Sequence, residues 1–151
     1  MTHLELIIKS VDLESVLPEV LPMMASHFKE ISHLEGEFDP DVSKYVQMNK
    51  AGSYEFICAY IGDSIVGYAG YFMGPHQHSK SKLVAYQDMI YLAPICRGGG
   101  LGRMLIQESD NILQAKGAHS IMNSVPCKND FGQMLEGLGY IYTDKLYIRR
   151  F

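Results

Sequence analysis

Four glycines within five positions, Gly98, Gly99, Gly100 and Gly102, constrain the fold of this chain more than any other feature. An aliphatic and aromatic run that holds one carboxylate, Asp88, precedes them and is stopped by Pro94, a pattern that predicts a strand. Behind them Leu101, Met104, Leu105, Ile112 and Leu113 recur at helical spacing until Gly117, which predicts an amphipathic helix. The loop therefore joins a strand to a helix N-terminus. Glycine lets a ligand approach the backbone closely there, and the unpaired N–H groups and partial positive charge of the helix start favour an anion. Arg97 and Arg103 flank the loop with fixed charge, so a phosphate or pyrophosphate is the expected guest.

Spacing excludes two common phosphate loops. The dinucleotide fingerprint needs a glycine where Arg103 stands, and no Gly-Lys-Ser or Gly-Lys-Thr closes a triphosphate loop. Arg97, Gly98, Gly99, Gly100, Leu101 and Gly102 instead resemble the acyl-CoA loop of the GNAT acetyltransferase superfamily: arginine or glutamine, two residues, glycine, one residue, then glycine or alanine. The resemblance extends to the strand ending in Tyr91, Leu92, Ala93 and Pro94, the leucines behind the loop, and Leu138, Gly139 and Tyr140. It runs from about residue 65 to residue 151.

The resemblance implies an α/β (α+β) fold: a mixed, mostly antiparallel central sheet with helices on both faces and a splayed cofactor strand. It implies acetyl-CoA as cofactor, its pyrophosphate held by Arg97, Gly98, Gly99, Gly100, Leu101, Gly102 and Arg103. Tyr91, Leu92 and Ala93 would offer backbone groups to the pantetheine arm, as a strand edge does to a peptide. Asn129 corresponds to the family's helix-start asparagine that contacts the cofactor, one position off its usual spacing to Gly139 and Tyr140.

The remaining composition fits a single domain over residues 1–151, long enough to bury most of its apolar surface. A formal charge of -4 argues against a nucleic-acid or polybasic membrane partner and suits a cationic one. Cys58, Cys96 and Cys127 are widely spaced and odd in number, which indicates neither a disulfide framework nor a zinc site. No apolar run approaches the ~20 residues of a membrane span. A cytoplasmic protein is expected.

In chain order, residues 4–8 read as a strand and residues 16–31 as a helical pattern that Pro18 and Pro22 should break before Pro22. Residues 33–41 hold Glu35, Glu37, Asp39 and Asp41, either a solvated loop or a rim that draws a cationic amine. A second helix runs from Pro40 to about Lys50, closed by Gly52. Residues 54–61 and 64–73 form a hairpin about Gly62 and Asp63, with Gly67 and Gly70 leaving room for something to pack closely. Residues 74–82 read as a loop whose His76 and His78 adjoin no carboxylate or cysteine, so no metal is expected. A strand over 120–125, a short helix over 129–137 and a terminal strand over 140–151 complete the chain.

Asp88 is the residue singled out for chemistry. Strand alternation puts it on the face of Ile90 and Leu92, ~16 Å upstream of Ala93 at ~3.3 Å per residue. A primary amine with a pKa near 10.4 leaves about one molecule in a few thousand unprotonated at pH 7, a deficit of about 4–5 kcal/mol. A carboxylate can remove that proton directly or through water, and the position matches an acid used as general base in polyamine-acetylating relatives. The alternative is a carboxylate paired with lysine or capping an N–H. A backbone N–H near Leu92 would support the oxyanion.

Many relatives carry a tyrosine four residues before the glycine of the final Gly-aromatic pair, and here that residue is Leu135. Tyr142 and Tyr147 are the substitute general acids in sequence. The thiolate of CoA, with a pKa like that of cysteine, about 8.5, needs little help to leave. The expectation is an acetyl-CoA-dependent N-acetyltransferase that acts by direct attack of a small-molecule or protein amine in a ternary complex. Small members of this layout often form homodimers. The alternatives are an inactive acyl-CoA-binding or protein-interaction module on the same fold, and a phosphate-binding module of another fold.

Overall fold

The computed structural model describes residues 5–31 and 36–151; Leu4, Glu35 and the start of the acidic segment lie outside them. Strands β1 (Leu6–Ser10), β2 (Tyr54–Ile61), β3 (Ser64–His76), β4 (Ser79–Leu92) and β5 (Ser120–Met122) form one sheet in chain order. The first four pair antiparallel and β5 pairs parallel to β4. Gly62 turns the β2–β3 hairpin at φ 60°, a backbone conformation that a side chain would strain.

Helices α1 (Leu13–Ile31) and α2 (Val42–Ala51) cover one face and α3 (Leu101–Ala115) the other, with a short α4 (Gly132–Gly137) after β5. The first face is aromatic: Tyr54, Phe56 and Tyr68 are buried beneath α1 and α2, with Val20 of α1 in the same cluster. The second is aliphatic, with Ile57, Ala69 and Leu113 packed among Ala85 and Leu105. The Asp41 carboxylate caps α2 by accepting from Lys44 N–H, and Gly52 closes it at φ 80°.

Four details depart from the pattern read in the sequence. Helix α1 runs unbroken through Pro18 and Pro22. The two prolines lie four apart on the exposed face, where the carbonyls that lose a donor are open to solvation. The segment of His76 and His78 is a tight hairpin tip rather than a loop, because β3 and β4 continue to it. On α3 the buried stripe is Leu105, Ile106, Ser109 and Leu113, and Met104 is left outside.

The fourth departure is the terminal strand. Residues 140–151 join no sheet. A strand needs an edge to pair with, and β5 ends at Met122 after three residues. No described helix is long and apolar enough to cross a membrane.

Candidate active site

The site begins with an extra residue in β4. Gly70 of β3 pairs with Met89 and Tyr71 with Gln87, so Asp88 has no partner across the ladder. Such a bulge re-aims one side chain. Asp88 leaves the face of Ile90, which packs toward α3, and joins Met89 and Tyr91 on the α1–α2 face. This corrects the strand alternation, which assumed an unbroken ladder.

Two phenols hold the carboxylate there. The hydroxyl of Tyr45, on α2, donates to Asp88 Oδ2 at 3.0 Å, and that of Tyr54, on β2, donates to the same oxygen at 2.9 Å. Burial pushes the Asp88 carboxyl above its ordinary range, and the two hydrogen bonds pull against that shift. Burial and the adjacent carboxylate raise both phenols, so they remain donors. Gly70 makes the arrangement possible: a Cβ there would fall on the Tyr54 hydroxyl and 2.8 Å from its Cζ.

Sequence reasoning did not find Tyr45 and Tyr54. The signal available was the small pair Gly67 and Gly70 on β3, which announces a close approach without naming its partner.

Beyond Asp88 the strand meets an open edge. β5 pairs only with residues 84–86 of β4, so residues 87–92 are splayed from it. Ala93 N–H donates to Val66 C=O at 2.8 Å, which turns Ala93 toward β3. Alternation then turns the N–H and C=O of Leu92 to the open edge. Arg97 Nε donates to that carbonyl at 2.8 Å, and the Leu92 N–H beside it faces the gap. Of the strand's last groups, only those of alternate residues are offered there.

The guanidinium of Arg97 turns away from the glycine loop. It donates to both oxygens of Glu30 on α1, at 3.1 and 2.9 Å, and lies 5.4 Å from the ring centre of Tyr91. Its part is to brace the end of β4 against α1. Arg103 is exposed at the start of α3, with its guanidinium beside Gly137 of α4.

The loop itself is open. Gly98 and Gly100 adopt φ 87° and 86°, the left-handed conformation that glycine takes without strain. Gly100 is the N-cap of α3, and the first helical bond runs from Met104 N–H to Gly100 C=O at 3.1 Å, so the amides ahead of it lack helical acceptors. Gly99 and Gly102 have ordinary φ, and a Cβ at either would meet nothing within 4 Å. No contact among the described residues requires glycine at those two positions. A cradle of open backbone amides there suits an anion such as the pyrophosphate of a CoA.

The other expected residues lie apart from Asp88. Asn129 is exposed in a turn of 3₁₀ helix over Cys127–Asn129. Tyr142 and Tyr147 are 65% and 85% exposed in the terminal segment, on the rim of the cavity that Asp88 lines. Leu135 is buried in α4. The cavity is a trough of about 2730 Å³ between α1, α2, the splayed end of β4 and the terminal segment, and Glu37, Asp39 and Asp41 add carboxylates to its wall.

A sheet opened between its last two strands, with an anion cradle beneath the opening, is the architecture of an acyl-CoA-dependent transferase. The sequence model of the acetyltransferase (GNAT) family matches residues 21–131; the chain belongs to this family and is an N-acetyltransferase that uses acetyl-CoA. No curated protein matches it in sequence. Among solved structures it is similar to a ribosomal-protein-alanine N-acetyltransferase from Brucella melitensis biovar Abortus 2308, at TM-score 0.77 and 19% identity, covering 97% of this chain and 98% of that one. It is also similar to an aminoglycoside acetyltransferase from an uncultured soil metagenomic sample, in complex with trehalose (TM-score 0.73, 14% identity, 97% and 94% covered). A predicted acetyltransferase with acetyl-CoA from Clostridium acetobutylicum gives TM-score 0.73 at 15% identity, with 97% and 96% covered.

Proposed function

We propose that the protein acetylates a primary amine by direct attack in a ternary complex, with Asp88 as the general base. The observation that carries this reading is the bulge at Asp88, which costs the sheet a regular pair and turns a carboxylate into a cavity beside the open edge. An amine entering as an ammonium must lose a proton before it attacks, and a carboxylate raised by burial is a better proton acceptor than a free one. The further carboxylates on the trough wall, Glu37, Asp39 and Asp41, suit a cationic acceptor, a small molecule or a protein amine.

Residues 97–103 would hold the pyrophosphate, through backbone N–H groups more than through Arg97, whose side chain is engaged elsewhere. Asn129 would add a contact at the start of the following turn. The thioester of acetyl-CoA supplies the acyl group. Leu92 N–H is the donor for charge that develops on the acyl oxygen. With Leu135 in α4, the departing thiolate has no phenol from that helix, and Tyr142 and Tyr147 are the candidates to protonate it. Three free cysteines suit a cytoplasmic, reducing setting.

Asp88→Asn tests the reading. Acetyl-CoA affinity by calorimetry should be unchanged, and amine-dependent thiol release should fall about 10²-fold or more, with the largest loss well below the pKa of the amine. Equal turnover across pH would remove Asp88 from the mechanism.

A further inference from the structure

His27 and Tyr68 form a buried polar pair that the proposed reaction leaves unused. Tyr68, on β3, is fully buried, and its hydroxyl lies 3.0 Å from Nδ1 of His27 on α1. That nitrogen is the hydroxyl's one hydrogen-bond partner among the described residues. A buried O–H needs an acceptor, so the phenol donates to Nδ1 and the neutral ring carries its own proton on Nε2. His27 is 7% exposed and lines the trough, and its Nε2 has no partner among the described residues.

The groups around the ring keep it uncharged. Burial lowers the pKa of the imidazole; Glu30, one turn along α1, raises it, and the Arg97 guanidinium lowers it. The titratable groups of β3 and β4 beside it, Tyr68 and Tyr91, are phenols whose pKa burial raises. A neutral imidazole is a donor of fixed direction that does not repel a cationic acceptor.

Its position is set by the ladder. Tyr68 pairs with Tyr91, the His27 ring centre lies 5.0 Å from that of Tyr91, and the Arg97 guanidinium lies over the same ring. Tyr91 adjoins Leu92, whose N–H faces the open edge. His27 therefore stands beside the end of β4, on the glycine-loop side of Asp88.

We infer that His27 is a catalytic residue whose Nε2–H hydrogen-bonds the sulfur that leaves the acyl group. The other reacting atoms do not call for this donor. An attacking amine must keep its lone pair for the acyl carbon, and the acyl oxygen has Leu92 N–H. The sulfur lacks a phenol from α4, where Leu135 stands. Nε2–H stabilises the anion that forms on sulfur as the C–S bond breaks and leaves its electron pair there. It gives up no proton, and the amine's proton goes to Asp88. The inference rests on the proposed seating of acyl-CoA at residues 97–103 and not on Asp88.

Calorimetry of the whole protein with free CoA and with desulfo-CoA tests this without an amine. A donor at the sulfur lowers the bound thiol below its ordinary pKa of about 8.5, so affinity for CoA relative to desulfo-CoA should rise about tenfold or more from about pH 6 to about pH 9.5. His27→Phe keeps a ring over Tyr91 and should abolish the rise, whereas His27→Gln retains an N–H donor and should keep part of it. Asp88→Asn should keep the rise, which separates this inference from the proposed base. Long-range proton–nitrogen spectra of the free wild type at pH 7 should show an uncharged ring protonated on Nε2. A flat affinity ratio in the wild type overturns the inference, as does a rise that survives His27→Phe or a ring protonated on Nδ1. Binding of neither compound would overturn the seating at residues 97–103 and this inference with it.

Discussion

Tyr54 lies across Gly70 so closely that a methyl group on Gly70 would stand 2.8 Å from the Tyr54 Cζ and overlap its hydroxyl. The glycine on β3 is therefore part of how a tyrosine on β2 reaches a carboxylate on β4. Gly70→Ala should destabilise the fold by about 1–3 kcal/mol, as overpacking does, and lower turnover by displacing the Tyr54 hydrogen bond from Asp88. Adding Tyr54→Phe should restore part of the stability, since it removes the nearer atom and leaves the ring. Thermal melts of the two single variants and the pair check this; strictly additive losses would refute it.

Gly102 gives a split of the opposite kind. Alanine there meets nothing within 4 Å and sits in a helix, so Gly102→Ala should stabilise the protein by about 0.5–1 kcal/mol. If a CoA approaches the backbone at that point, the same methyl group should weaken acetyl-CoA binding about tenfold or more. A melt and a titration on one sample decide it, and undiminished affinity would return the glycine to a purely structural role.

The pH dependence follows from the Asp88 hydrogen bonds. Each phenolic donor pulls the carboxyl down while burial pushes it up. Tyr54→Phe removes one downward influence, so the carboxyl rises further and its proton is lost only at higher pH. The acid limb of kcat/KM should move to higher pH, with activity falling more at pH 6 than at pH 9. An acid limb that stays in place would exclude Asp88 as the group titrating there.

The same carboxyl makes a prediction about stability. With its folded pKa raised, the native state keeps a proton over a range where the unfolded chain has released it. Stability then falls as pH rises from the ordinary carboxylate value through the raised one. Asp88→Asn removes that loss, so its Tm should exceed wild type at neutral pH and converge with it toward pH 4. A constant difference across pH would contradict the assignment.

What the sequence revealed and what it hid divide along a physical line. Gly98 to Gly102, the helix stop at Gly52 and the turn at Gly62 act within a few residues of themselves, and each is visible in the order of the chain. The face of Asp88 is not local, because a bulge is a property of two strands in register. Tyr45 and Tyr54 meet Asp88 from 43 and 34 residues away, a proximity that no spacing encodes. Arg97 was legible as a charge beside the loop, but its engagement with Glu30 depends on where α1 packs. The prolines of α1 misled for a related reason: their cost depends on whether the orphaned carbonyls can find water.

The hairpin order of the sheet bears on how the molecule assembles. β2, β3 and β4 are neighbours both in the chain and in space, so this meander closes with short loops and little entropic cost. β5 arrives only after the crossover through α3 and is held by three residue pairs. The half of the site that carries Asp88 thus belongs to the early, cooperative part of the fold, while its opposite lip belongs to the part that forms last and opens first. The mouth can breathe without disturbing the base, and amide exchange at Ser120–Met122 should outpace that of every interior strand.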